Sequence, residues 1–397
     1  MLKNWKFHSA SSILFGNGAI HQLPNLIERF KPKRIVLITD PGIVKAGIAN
    51  RATEILRDVG IKLVVYDQAV PEPTMASVLT CFSQLEEYQP DLLIALGGGS
   101  CIDLCKMISL LLTYGGHPAD YFGEAKIPGS IRPIIAIPTT AGTGSEVSPV
   151  TIVTDEQTNL KVGISDQSLR PAVALLDPEL TVKLPPYITA CTGMDALSQA
   201  IESYFAIDYR YIEAEGNLIY QGSNPMSDVF AEKAIRLISE NLSTAVHQGS
   251  NLAARSNMLL GNLYSALAFT NSGTSLIHAL SYPIAEITKK PHGEIIGLLL
   301  PYVMEYNMFA DVDRFSEIGI FLGERGEGKY NLAKAGIEFV SRLVDDLGMP
   351  TRLEMIGIKR EHFDLIVEKS LGIDRLIRIN PKKPQFEGVK SLLNKAF

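Results

Sequence analysis

A chain of 397 residues with 46% hydrophobic side chains has the material for two full cores, and a net charge of −6 without a long basic run argues against nucleic acid or an anionic membrane as a partner. No stretch approaches the ~20 apolar residues of a membrane span, and Met1-Leu2-Lys3-Asn4-Trp5-Lys6 lacks the apolar core of a signal peptide. Four cysteines in such a chain predict a reduced, cytoplasmic protein.

In chain order, Ile13-Leu14-Phe15-Gly16-Asn17-Gly18 reads as a short strand and turn. Arg34-Ile35-Val36-Leu37-Ile38-Thr39 is a buried strand ending at Asp40-Pro41-Gly42, followed by a helix over about 43–58, a strand over 61–66 and a helix over about 75–88. Asp91-Leu92-Leu93-Ile94-Ala95-Leu96 and Pro133-Ile134-Ile135-Ala136-Ile137-Pro138 are apolar runs of strand length. Short strands follow at 147–154, 161–165 and 173–176. Strand and helix alternate through short connections, which predicts a parallel sheet covered on both faces. At Pro185-Pro186 the pattern changes to helical periodicity, over roughly 189–206, 225–247, 251–269, 273–287, 293–307, 311–322, 330–347 and 386–396. The reading is an α/β nucleotide-binding domain over 1–184 and an all-α domain over 185–397, with the ligand expected in the cleft between them.

The stretch Leu96-Gly97-Gly98-Gly99-Ser100-Cys101-Ile102-Asp103 joins a buried strand to a helix predicted over 101–113. Glycines let backbone N–H groups come close to phosphate oxygens, and the helix start adds its free N–H groups and positive dipole end. Gly97, Gly98, Gly99 and Ser100 are therefore candidates to cradle a pyrophosphate; the plainer alternative is a turn with Ser100 and Asp103 as a capping box. Cys101 and Cys105 share an apolar helix face and read as buried small hydrophobes, since a metal pair would need two further soft ligands. Pro138-Thr139-Thr140-Ala141-Gly142-Thr143-Gly144-Ser145-Glu146 is a second glycine cluster after a buried strand, at what would be the carboxyl end of the sheet, where open α/β sheets bind ligands. Asp40, at the end of its strand, either accepts hydrogen bonds from an adenosine ribose, favouring NAD over NADP, or caps the next helix.

Asp195 and Gln199 are four residues apart on one predicted helix, as are His278 and Tyr282 on another, and His292 opens a third. Carboxylate, amide oxygen and imidazoles can bind a divalent ion. The competing reading of each histidine is an ordinary core or surface residue.

Taken together, these pieces resemble the iron-containing, metal-dependent (group III) alcohol dehydrogenases, relatives in fold of dehydroquinate synthase and glycerol dehydrogenase. The matching residues run almost end to end: 14–18, 39–42, Gly97-Gly98-Gly99-Ser100 with Asp103 and Lys106, 138–146, 176–181, 189–197, 278–283, Pro291-His292-Gly293 and Asn380-Pro381. The resemblance implies a dehydroquinate-synthase-like fold and an NAD(P)-dependent oxidoreductase interconverting an alcohol and an aldehyde or ketone. It implies Fe2+ or Zn2+ beside the nicotinamide, and a homodimer. Members bind their metal through one Asp and three His. Asp195 matches the Asp, and His278 and His292 match two of the His. Gln199 stands where the family has its other ligand His, which predicts weaker metal binding rather than none. Tyr282 stands where the family has a further His close to the substrate, implicated in proton relay; its hydroxyl can donate a hydrogen bond to a substrate oxygen but shuttles protons less readily than imidazole. By the same resemblance Asp103 falls near the nicotinamide end, and Thr139, Thr140, Thr143, Ser145 and Lys161 line the rest of the cofactor. The stretch 207–222, with Tyr209, Tyr211 and Tyr220, reads as an insertion relative to typical members. Two alternatives use the same fold. One is a lyase or cyclase in the manner of dehydroquinate synthase, whose sugar-phosphate substrate would call for more basic residues than Lys289 and Lys290. The other is a non-catalytic nucleotide-binding relative.

Overall fold

A computed structural model describes residues 4–57, 59–156, 160–213 and 218–397. They form two compact units, His8–Leu184 and Pro185–Phe397, the latter joined by the N-terminal segment through Phe7. That segment is tied to the helical unit by paired hydrogen bonds, Lys6 N to Gln221 Oε1 at 2.9 Å and Gln221 Nε2 to Lys6 O at 3.2 Å. Among the described residues no helix is long and apolar enough to cross a membrane.

The α/β unit runs β1 (Ser12–Phe15), α1 (Leu23–Phe30), β2 (Arg34–Ile38), α2 (Pro41–Lys45), α3 (Ile48–Arg57), β3 (Lys62–Tyr66), α4 (Met75–Leu85), β4 (Leu92–Gly97), α5 (Gly99–Tyr114), β5 (Gly123–Glu124), β6 (Ile134–Pro138), β7 (Val150–Asp155), β8 (Leu160–Ser165) and β9 (Val173–Leu176). Six strands make one sheet in the order β1-β9-β6-β4-β2-β3, all parallel. The apolar runs are continuous because both faces are covered. Val36, Ile38, Leu93 and Ala95 join one core with Val78, Cys81 and Leu85 of α4 and the buried face of α5. Ile35, Leu37, Leu92 and Ile94 join the other with Leu26 and Ile27 of α1 and Ala52 and Leu56 of α3. The expected single helix over 43–58 is two helices, broken at Gly47, which takes a left-handed φ of +77°. The strands at 150–155 and 160–165 belong to a second, three-stranded sheet, β5-β8-β7, with β7 and β8 antiparallel.

Lys106 staples this second sheet to α5. Its side chain is fully buried, and Nζ donates to Ser145 Oγ (2.9 Å), Ser148 O (3.0 Å) and Val150 O (2.8 Å). Burial presses its pKa down to about 8, against the opposing pull of the Asp103 and Glu146 carboxylates.

The helical unit runs α6 (Pro186–Phe205), α7 (Pro225–His247), α8 (Leu252–Ser272), α9 (Leu276–Thr288), α10 (His292–Asn307), α11 (Val312–Phe321), α12 (Lys329–Asp346), α13 (Phe363–Leu371), α14 (Asp374–Ile377) and α15 (Phe386–Ala396). The amphipathic segment that forms α13 went unread in the sequence. Within the 207–222 stretch, 214–217 lie outside the described residues. The rest is pinned to the end of α8 by Gln221 N to Asn271 O (3.0 Å) and Gly222 N to Ser272 O (2.8 Å), and to the C-terminal region by Ile207 N to Ile379 O (2.9 Å).

Replacing Lys106 by Met removes the ammonium that serves these three acceptors and leaves the half-buried Asp103 beside an apolar chain. Losing one member of a buried ionic cluster costs about 3–5 kcal/mol. Thermal unfolding of Lys106→Met, followed by circular dichroism, is expected about 6–12 °C below the parent.

Candidate active site

In the α/β unit the strand order creates the ligand end. The chain passes from β2 outward to β3, then returns to place β4 on the other side of β2. The carboxyl ends of β2 and β4 therefore lie side by side where the winding reverses, the position at which open α/β sheets bind ligands. Asp40 follows β2. Its Oδ1 accepts from Ile43 N at 3.0 Å, capping α2, and its Oδ2 accepts from the Cys101 thiol at 3.2 Å. Asp40 thus caps α2 and is held by Cys101 at the start of α5, while each carboxylate oxygen keeps capacity to accept a further hydrogen bond.

The capping box predicted at Ser100 and Asp103 is absent. Helix α5 starts at Gly99, with Gly98 as N-cap and no side-chain cap. Ser100 Oγ instead accepts from Glu72 N at 3.2 Å. Asp103 turns toward the second sheet, accepting from Ser145 Oγ (2.5 Å) and Ile152 N (3.0 Å), because Lys106 draws it there. Asp103 and Ser145 are consequently hydrogen-bonded to each other. The second glycine cluster folds directly onto the first. A Cβ on Gly99 would sit 2.7 Å from Thr143 Cγ2, so only glycine fits, and Thr140 lies 3.4 Å from the same position on Gly98. Thr139 is buried, its N donating to Gly97 O at 3.0 Å and its hydroxyl without a partner among the described residues. Lys161 pairs with Glu72 Oε1 at 2.6 Å, the residue whose N–H meets Ser100. The uncapped N-terminus of α5 is thus ringed by Ser100, Thr140 and Thr143.

In the helical unit, α6 carries Asp195, Gln199 and Glu202 along one buried row. His278 and Tyr282 come from α9, and His292 is the first residue of α10. The start of α10 lies so close to α6 that a Cβ on Gly293 would be 2.1 Å from Cys191 O. Asp195, His278 and His292 each offer a ligand atom, all within 4.8 Å of one another. Asp195 Oδ1 lies 3.5 Å from His278 Nε2 and 3.8 Å from His292 Nε2. Asp195 Oδ1 and Gln199 Oε1 are buried with no hydrogen-bond partner among the described residues.

Hydrogen bonding sets the tautomers. His278 Nδ1 meets Glu202 Oε2; the carboxylate can only accept, so Nδ1 carries the hydrogen and Nε2 its lone pair. Glu202 is itself fully buried and held by Ser275 N (2.9 Å), Ser275 Oγ (3.0 Å) and Ile277 N (3.1 Å). Ser281 spends its hydroxyl proton on His278 O (2.8 Å), so in its 3.3 Å contact with His292 Nδ1 the imidazole is the donor. Two imidazole lone pairs and a carboxylate oxygen thus converge, and the buried amide oxygen of Gln199 lies one turn along α6 from Asp195. Such a set repels itself unless a cation or a proton sits inside it. Burial lowers the pKa of His278, but the Glu202 and Asp195 carboxylates outweigh it and raise the value to about 10. A divalent ion fits these donors and would take the place of that proton. Among the described residues no cysteine joins a cluster of this kind; all four are free and buried.

A family model for iron-containing alcohol dehydrogenase matches residues 10–178, and its companion for the C-terminal part of the family matches 189–397. The chain belongs to the iron-containing alcohol dehydrogenase family. It is 33% identical over 385 residues to alcohol dehydrogenase 4 of Saccharomyces cerevisiae (strain YJM789), covering 96% of each chain. It is also 33% identical to the 1,3-propanediol dehydrogenase of Klebsiella pneumoniae, over 96% of each. A crystal structure of 1,3-propanediol oxidoreductase superposes with a TM-score of 0.93 at 31% identity over the full length of both chains. The sulfoacetaldehyde reductase of Bifidobacterium kashiwanohense, solved with NAD+, gives 0.86 at 29% identity over 100% and 99%. The protein is an alcohol oxidoreductase of this family, with NAD(H) and a divalent metal as the cofactors that membership implies.

Sequence reading assigned no role to Glu202 or Ser281. Glu202 did carry a signal: it lies three residues beyond Gln199 and seven beyond Asp195, on their helix face. Outer carboxylates of this kind typically contribute 10–100-fold to metal affinity. Glu202→Gln is expected to weaken zinc binding by about that factor in competition with a chromophoric chelator.

Proposed function

We propose that this chain is an NAD-dependent alcohol dehydrogenase and aldehyde reductase whose metal, Fe2+ or Zn2+, is bound by Asp195, His278, His292 and, as a weaker fourth ligand, Gln199. The observation that carries the ligand set is the pair of buried, unpartnered oxygens, Asp195 Oδ1 and Gln199 Oε1, together with the ligand atoms of Asp195, His278 and His292 lying within 4.8 Å of one another. The bound metal supplies Lewis acidity at the substrate oxygen, and NAD(H) supplies the hydride acceptor or donor.

The protein's own residues do the rest. Gly97, Gly98, Gly99 and Ser100 cradle the pyrophosphate at the uncapped start of α5, with Thr139, Thr140, Thr143 and Lys161 along the cofactor. Asp103 and Ser145 serve this cradle from behind, by tying α5 to the Thr139-to-Ser145 loop. Asp40, its carboxylate held by Ile43 N and Cys101, takes the adenosine ribose and repels a 2′-phosphate, which favours NAD over NADP. Tyr282, whose ring stacks on His292 at 6.1 Å, donates its O–H to the substrate oxygen. We infer a homodimer from the family resemblance, and a cytoplasmic protein from the four free cysteines. The relatives' names range from methanol and 1,3-propanediol to long-chain alcohols and sulfoacetaldehyde, so we assign an alcohol or aldehyde without naming it.

Protein prepared without chelator and reconstituted with iron(II) or zinc(II) is expected to hold about one ion per chain by plasma mass spectrometry. Asp195→Ala should abolish retention and lower kcat/KM on the order of a thousandfold. Gln199→His should bind the ion at least about tenfold more tightly. Metal content unchanged in Asp195→Ala would sink the ligand assignment. Separately, Asp40→Ser is expected to raise the NADP-to-NAD ratio of kcat/KM at least about tenfold, by removing the like-charge contact with the 2′-phosphate.

A further inference from the structure

Two features of this chain stand apart from the family pattern: Tyr282 in place of a histidine, and the excursion over 207–222. One residue touches both. Arg375, on the short helix α14, donates from Nη2 to Tyr282 Oη at 3.2 Å, and its guanidinium carbon lies 5.9 Å from the ring centre of Tyr220, on the returning limb of the excursion. Tyr220 is buried and anchored by its neighbours: Gln221 N and Gly222 N bond to the last carbonyls of α8. The next residue after α8 is Gly273, where a Cβ would come within 2.9 Å of Tyr220 Cβ. The backbone that carries the Tyr220 ring is therefore held against the end of α8.

We propose that Arg375, backed by Tyr220, is a positioning residue that aims the Tyr282 hydroxyl proton at the substrate oxygen. A guanidinium has five N–H donors and no acceptor, so Tyr282 Oη must be the acceptor in this contact. A phenolic O–H prefers the plane of its ring, which leaves it two orientations. An N–H approaching Oη from one side occupies a lone pair there and turns the hydroxyl hydrogen away. Among the described residues Tyr282 has no acceptor for that hydrogen, so its donor capacity is unspent. The ring that carries it lies against His292, a proposed metal ligand. A histidine at position 282 would present a ring nitrogen and need no such orientation, whereas a tyrosine hydroxyl flips between its two in-plane orientations unless something holds it. Lysine could supply the charge but not the planar donor edge that also lies along an aromatic face.

This inference rests on the reading of Tyr282 as donor to the substrate, and the test separates the two. The reaction followed is single-turnover reduction of propanal by NADH on zinc-reconstituted enzyme. Hydride passes from the nicotinamide to the carbonyl carbon, the C=O π pair moves to oxygen, and that oxygen takes a proton which water restores to Tyr282. Single-turnover rates isolate this step from product release. Tyr282→Phe is expected to slow it at least about tenfold with metal content intact. Arg375→Ala should slow it by a similar factor, Arg375→Lys by less, and the pair R375A/Y282F no further than Tyr282→Phe alone, because Arg375 acts through a hydroxyl that is already gone. Losses that multiply in the double variant, or an unimpaired Arg375→Ala, would overturn the role of Arg375 while leaving Tyr282 as donor. An unimpaired Tyr282→Phe would overturn the reading of Tyr282 itself, and this inference with it.

Discussion

Two carboxylates, Asp195 and Glu202, lie buried on one helix with His278 bridging them. Burying a carboxylate costs several kcal/mol unless it is paired or richly hydrogen-bonded. Glu202 meets that condition with donors from the start of α9 and from His278. Asp195 does not, and its free oxygen faces two imidazole lone pairs. This imbalance is what the proposed cation would relieve. The proposed role of Gln199 as a ligand in place of a histidine is compatible with the same balance. Both side chains are neutral, so the charge balance of the site survives and only donor strength changes.

The parallel sheet was legible because β4 and β6 are unbroken apolar runs, which only a strand buried on both faces requires. The capping-box alternative at the start of α5 fails for a local reason. Ser100 and Asp103 have the spacing of a capping box, but a buried lysine one turn along makes a stronger demand on the aspartate than two orphan N–H groups do. The pairs Asp195–Gln199 and His278–Tyr282 could be read from their spacing as sharing helix faces. That three helices bring them together is not a property of spacing, and the resemblance to known enzymes supplied it. Glu202 and Arg375 escaped because their partners are remote: Glu202 meets Ser275 across 73 residues and Arg375 meets Tyr282 across 93. Long-range pairs of this kind leave no periodic trace.

Backbone contact does for the site what side chains alone would not. The first turn of α10 delivers His292, and its neighbour Gly293 rests against the Cys191 carbonyl one turn before Asp195 on α6. Two ligand-bearing helices thus meet without intervening side chains to relax or repack. In the α/β unit, Gly99 against Thr143 has the same character: two loops are locked at a spacing set by one missing Cβ. Glycine at these positions is a matter of clearance, with no left-handed conformation involved.

The first and last strands of the α/β unit pair with each other. Strand β1, residues 12–15, pairs with β9, residues 173–176, and buried Asp177 then accepts from Gly18 N and Ile20 N at 3.1 Å each. A contact spanning so much chain carries a large loop-closure cost and is made late. On the ribosome the first strand to emerge must therefore wait, unpaired, until nearly the whole unit has been synthesised. The four residues of β1 expose an edge for all that time, and the brevity of the strand limits what a passing chain could pair with.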